Sequence, residues 1–108
     1  MPHIRVRGTK ETTTSELSTT AKKLAEILET TADNFTFEHI QTSFLENGKA
    51  AKGYPFIEVL WFARTQEMKN EMAKFLTDQI KKFETHDYIA VIFRDLDTSS
   101  YFENGEHF

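Results

Sequence analysis

The chain has no cysteine, which excludes disulfide staples and thiol chemistry. No signal-peptide pattern opens it and no apolar run approaches the length of a membrane span, so the expected compartment is the cytoplasm. Net charge is −4, and no cluster of Lys and Arg forms a stripe along one helix face, which argues against nucleic acid as a partner. His3, His39, His86 and His107 fall in separate elements without paired ligand spacing, so no metal is expected. Gly48 and Gly53 flank Lys49 and Lys52 without a phosphate-loop pattern or a helix after them, and no serine-nucleophile motif occurs. Any chemistry must therefore come from ordinary side chains and termini, with no cofactor.

What is present fits one globular domain over residues 1–108. With 39% hydrophobic and 28% charged residues the chain is too apolar to be disordered. Ten phenylalanines suggest a core, or an interface, larger than a chain this short usually encloses.

The sequence reads as two copies of strand–helix–strand, at about residues 2–46 and 55–96, joined by a solvated connector over 46–54. Pro2-x-Ile4-x-Val6 recurs as Pro55-x-Ile57-x-Val59, and Thr14-Ser15-Glu16-Leu17 answers Thr65-Gln66-Glu67-Met68. The first helix is expected over about 14–30, with Thr13 as N-cap, Glu16 reaching back, and Leu17, Ala21, Leu24 and Leu28 on one apolar stripe. The second is expected over about 66–83, facing Met68, Met72, Phe75, Leu76, Ile80 and Phe83 inward. The expected fold is α+β in two layers: a duplicated β-α-β unit, a four-stranded mixed sheet with two helices on one face, and a C-terminal β-hairpin.

Residues 88–93 are apolar on both faces, which predicts a central strand; residues 56–62 are similar apart from Glu58. Strand one and residues 37–45 carry polar rows instead, His3, Arg5 and Arg7 in one and His39, Gln41 and Ser43 in the other. Two helices cover one face only, and the other reads as too apolar for water, so a symmetric oligomer is the economical cover. Arg5 and Arg7 would then line a central passage. In residues 97–108, Asn104-Gly105 between aromatic flanks signals a hairpin, and an aromatic terminus calls for docking on a neighbouring subunit.

Pro2 carries the chemical argument. Met1 before a small residue is readily removed, which would leave Pro2 as a free secondary amine on the alternating strand His3-Ile4-Arg5-Val6-Arg7. Desolvation and nearby cations both penalise the ammonium, so such an amine can act as a general base near neutral pH. With Met1 retained, the same nitrogen is a non-basic amide.

Pro2, the duplicated unit and the aromatic tail resemble the tautomerase superfamily across nearly the whole chain. Members include 4-oxalocrotonate tautomerase, 5-carboxymethyl-2-hydroxymuconate isomerase and macrophage migration inhibitory factor. A small bacterial branch sharing the Met-Pro-His opening is the nearest likeness. The resemblance implies that Pro2 is the catalytic base and that subunits of this length form homotrimers. It also implies that Arg64, which opens Arg64-Thr65-Gln66-Glu67 as the family's Arg-Ser lead-in opens its helix, binds a substrate carboxylate. A helix N-terminus beside Arg64 favours an anion as well, and its planar fork suits a carboxylate. Dicarboxylate-processing members carry a second cation on the strand matching residues 37–45. Here the nearest residues are His39 and Gln41, which points away from dicarboxylate muconates. Phe62 and Phe102 are the expected pocket walls. The implied activity is cofactor-independent keto–enol proton transfer on a small carboxylate-bearing substrate. The alternative is a non-catalytic oligomeric module on the same fold that binds a small ligand or a protein.

Overall fold

Alternation of apolar and polar residues sets the sheet. In a computed structural model that describes residues 1–108, β1 (His3–Arg7) buries Ile4 and Val6 on one face and leaves His3, Arg5 and Arg7 on the other. It lies between β2 (Thr36–Ile40), parallel to it, and β5 (Phe56–Trp61), antiparallel. β6 (Ala90–Asp95) runs parallel to β5, giving the order β2-β1-β5-β6. The expected mixed four-stranded sheet is present. The apolar strand over residues 88–93 is its edge and not its centre, because burial on both faces says nothing about how many hydrogen-bonded neighbours a strand has.

One face carries the helices. The first helix begins earlier than expected and is broken, as α1 (Glu11–Ser18) and α2 (Ala21–Leu28). Its N-cap is Lys10, whose carbonyl accepts from the Thr13 and Thr14 amides, so Thr13 lies buried inside the helix instead of capping it. The break falls where the Thr19 and Thr20 hydroxyls donate to the Glu16 and Leu17 carbonyls, each at 2.6 Å, competing with the helical ladder. α3 (Gln66–Lys81) starts on Thr65, whose Oγ1 accepts from the Met68 amide at 3.1 Å. Leu17, Leu24, Ile27 and Leu28 from α1 and α2, and Met72, Leu76 and Ile80 from α3, pack on Ile4, Val6, Ile57, Val59 and Trp61. The Trp61 indole N–H is satisfied by Asp95 Oδ1 at 2.8 Å.

Two hairpins extend from this body. Residues expected to be a bare connector form β3 (Phe44–Glu46) and β4 (Lys49–Ala51), turned at Asn47 and Gly48, both at positive φ. β7 (Phe102–Glu103) and β8 (Glu106–His107) form the expected C-terminal hairpin around Asn104 and Gly105. No helix is long and apolar enough to cross a membrane.

The open face of the sheet is more ionic than expected. Arg5 Nε donates to Glu38 Oε1 at 2.8 Å and Arg5 Nη1 to Glu58 Oε1 at 3.2 Å; Arg94 binds the other oxygen of Glu58. Arg7 instead lies over the Phe56 ring, 4.6 Å from its centroid. The Arg94 hydrogen bond outweighs burial and holds the Glu58 carboxyl below the usual range; Arg5, then His3, do the same for Glu38. A lowered folded pKa means that this stability is complete above the unfolded value of 4.5 and is lost as pH falls through the folded one. Melting temperature should therefore drop on acidification, with Glu58 contributing up to about 1.4 kcal/mol per pH unit in that window. Glu58→Gln should give a less stable protein with a shallower acid limb; a limb parallel to wild type would remove Glu58 from the effect.

The duplication is geometric as well as sequential. Thr36 N–H donates to Pro2 O at 3.1 Å, and Ala90 N–H donates to Pro55 O at 3.0 Å. His3 pairs with Thr36 as Phe56 pairs with Ala90, and Arg5 faces Glu58 at the middle of the antiparallel pair. A pseudo-twofold axis thus passes between Arg5 and Glu58. The sheet has two related ends, one headed by Pro2 and one by Pro55.

Candidate active site

At the first end, the Pro2 side chain is fully buried and its carbonyl is fixed by Thr36. Trp61 stands one step beyond the His3–Leu60 pair, and the chain leaving β5 delivers Phe62 and Arg64 to the same end. Arg64 is exposed, and its Nη1 donates to the Leu28 carbonyl at 2.8 Å, closing the end of α2. That bond uses one of five guanidinium N–H groups and leaves the rest for a ligand. Phe62 packs against Tyr101 and Phe108, with centroids at 5.4 and 5.5 Å. The Phe108 amide donates to the Tyr101 carbonyl at 3.1 Å, so the tail folds back on its own chain. Phe102, by contrast, is 59% exposed and meets only His107 among aromatic rings.

The other two residues lie elsewhere. His39 pairs with Val6 in the β1–β2 register, and Gln41 follows β2, which places them roughly 13 and 20 Å along the sheet from Pro2. His39 Nδ1 is held by Thr14 Oγ1 at 2.7 Å. Within one chain, then, Pro2, Phe62 and Arg64 lie toward the same end of the sheet, Phe102 stands apart on the tail hairpin, and His39 and Gln41 lie toward the Pro55 end. Clefts of about 670, 460 and 380 Å³ on the single chain include neither Pro2 nor Arg64.

Sequence reasoning passed over Tyr101 and Phe108, although the notion of an aromatic tail contained them. It also passed over a partly buried pair, Glu84 and His86, where His86 Nε2 donates to Glu84 Oε1 at 2.8 Å. Burial alone would raise the Glu84 carboxyl, but hydrogen bonds from His86, Thr13 and the Lys10 amide outweigh it and hold it low. No spacing rule points to that pair, because its partners come from the distant β1–α1 turn.

The paired β-α-β units on a four-stranded mixed sheet, headed by a buried proline, are the tautomerase-type fold. A macrophage migration inhibitory factor-like protein from Entamoeba histolytica matches at a TM-score of 0.77 and 12% identity, over 99% of this chain and 98% of that one. A fused 4-OT, described as a wild-type asymmetric trimer, matches at 0.81 and 13% identity, over 97% and 94%. The chain belongs to the family described as Domain of unknown function (DUF1904), which matches residues 1–107. A DUF1904 protein from Sebaldella termitidis ATCC 33386 is 40% identical over 100% of both chains, with a TM-score of 0.94. No curated protein matches.

Proposed function

We propose that this protein is a cofactor-independent tautomerase acting on a small carboxylate-bearing substrate, with the nitrogen of Pro2, freed by removal of Met1, as general base. The reading rests chiefly on one observation: Pro2 is buried and pinned at the head of the sheet, at the same end as Phe62 and the partly uncommitted guanidinium of Arg64. The amine removes a proton from a carbon next to the substrate carbonyl, an enolate forms, and the ammonium returns the proton at another position. Arg64 holds the carboxylate and offsets the growing negative charge. Phe62, with the aromatic tail behind it, keeps water off the amine and so favours its neutral form.

A pocket at Pro2 needs walls that one chain does not supply, and a homotrimer would provide them, with the exposed ring of Phe102 as one contact. Light scattering should give three times the mass of one chain at micromolar concentration; a monomer would remove the trimer and the enclosed pocket with it. A second reading, a ligand- or protein-binding module without catalysis, draws on the Arg64–Leu28 bond, which gives that arginine a purely structural use. Mass spectrometry of untagged protein, followed by an assay of phenylenolpyruvate ketonisation, separates the two. Loss of Met1 with ketonisation above the solvent rate supports catalysis. Full retention of Met1 leaves only the binding module.

A further inference from the structure

The pseudo-twofold axis gives the Pro2 end a counterpart, and that counterpart is an open cleft. It has a volume of about 380 Å³ and lies among the β1–α1 turn, the end of β2, the β3–β4 hairpin and His86. Gly8 is what the axis sets against Pro55, as it sets Trp61 against Pro2; a Cβ on Gly8 would stand 3.1 Å from the Pro55 Cα. Where one end holds a buried indole, the other holds no side chain, and the Tyr54 backbone closes directly over Gly8.

We infer that this cleft is a second binding site, for a small monocarboxylate anion, formed by Lys10, Lys52, His39 and Gln41. Lys10 is the N-cap of α1, close to where Arg64 stands before the Thr65 cap of α3, so each end of the sheet carries one cation at a helix start. Lys52, the residue after β4, lines the cleft as well. Neither lysine has a carboxylate partner, and both are exposed. Glu11 is the one carboxylate in the lining. With neutral histidines the lining carries a net charge of +1, which suits a monoanion better than a dianion. Glu84 lies behind and is already saturated by Lys10 N–H, Thr13 and His86.

His39 adds a donor. Thr14 fixes the His39 ring through Nδ1 and leaves Nε2 without a protein partner. His86 lines the same cleft and keeps a buried Nδ1 with no hydrogen-bond partner. Its Nε2 donates to Glu84, so in the neutral ring Nδ1 is an acceptor, and His86 serves as a wall of the cleft and not as a donor to the anion. The volume is at the small end of the range for organic ligands. Unlike Pro2, Pro55 is an internal amide that processing cannot convert to a base. The cleft therefore binds without proton transfer to Pro55.

Titration of ¹⁵N-labelled protein with sodium pyruvate tests this, with potassium chloride at matched ionic strength as control and inorganic phosphate as a second arm. Saturable shifts at the Gly8, Lys10, Gln41 and Gly53 amides are expected. Lys10→Gln with Lys52→Gln should weaken the binding roughly tenfold or more while the circular dichroism spectrum is unchanged. The amides of Phe62 and Arg64 report the Pro2 end separately, so failure at one end is distinguishable from failure at the other. No saturable shift, equal shifts with chloride, or an unchanged affinity in the double variant would overturn the site. Tighter binding of phosphate than of pyruvate would overturn the monocarboxylate assignment.

Discussion

In protein that has lost Met1, Pro2→Ala should lower kcat/KM for ketonisation of phenylenolpyruvate by up to roughly 10²- to 10⁴-fold, the whole span of catalysis by a positioned general base. The residual rate has a physical meaning. Alanine also leaves an α-amine, so what disappears is not the base as such. It is the rigid ring, whose burial fixes the nitrogen at the sheet end, and the secondary-amine basicity that the pocket tunes. The Pro2 carbonyl accepts from Thr36 N–H, a backbone bond that the substitution keeps, so the strand itself should not move. Thermal melts of the two proteins should accordingly differ much less than their rates. The pH profile of the wild type should rise as the N-terminal ammonium loses its proton, at a pH below that of an exposed proline amine. Equal activity in wild type and Pro2→Ala, or inertness of both toward several keto acids, would shift the assignment to the binding module.

The fold was largely legible because its signals are local. Period-two alternation in residues 3–7 has one reading, a strand with one buried face, and Ile4 and Val6 fell in the core; the apolar run over 56–61 put Ile57, Val59 and Trp61 there too. The break at Thr19 and Thr20 was hidden for a related reason. Leu17, Leu24 and Leu28 stay on one stripe across it, so periodicity sees one helix, while the break is made by hydroxyl-to-carbonyl bonds that periodicity does not register. β6 misled in another way: its apolar run reports how both faces are covered, whereas its edge position depends on strand order.

The candidate site divides along the same line. Pro2, Phe62 and Arg64 were assigned to one pocket, and strand direction alone carries them to one end, since β5 runs back antiparallel to β1. His39 and Gln41 share the polar row of their strand, and a row read from sequence has no address along the sheet. Register supplies it: parallel pairing of His39 with Val6 sends both residues toward Pro55. The duplicated Pro-x-Ile-x-Val motif held the remaining information, because two like units on one sheet must produce two like ends.

Gly8→Ala should be among the most destabilising single-atom additions available in this chain, at about 3–5 kcal/mol, from backbone strain and overpacking together. Gly8 has φ +81°, a left-handed conformation that side chains disfavour, and its new Cβ would meet backbone: Tyr54 O at 2.0 Å and Tyr54 C at 2.7 Å. Neither atom can swing aside like a side chain, since the Pro55 carbonyl that follows is bonded to Ala90 and ties the segment into the sheet. Relief requires the β1–α1 turn to lift away from Tyr54 and Pro55, which also disturbs Lys10 and the bond from its amide to Glu84. Gly105→Ala separates the two contributions. Its φ of +89° is equally unfavourable, but a Cβ there meets nothing within 4 Å, so the cost should be conformational alone, on the order of 1–2 kcal/mol. Urea denaturation of both variants measures the difference. If Gly8→Ala proves no less stable than Gly105→Ala, the close seating of the turn against Tyr54 and Pro55 is wrong, and so is the shape of the cleft built on it.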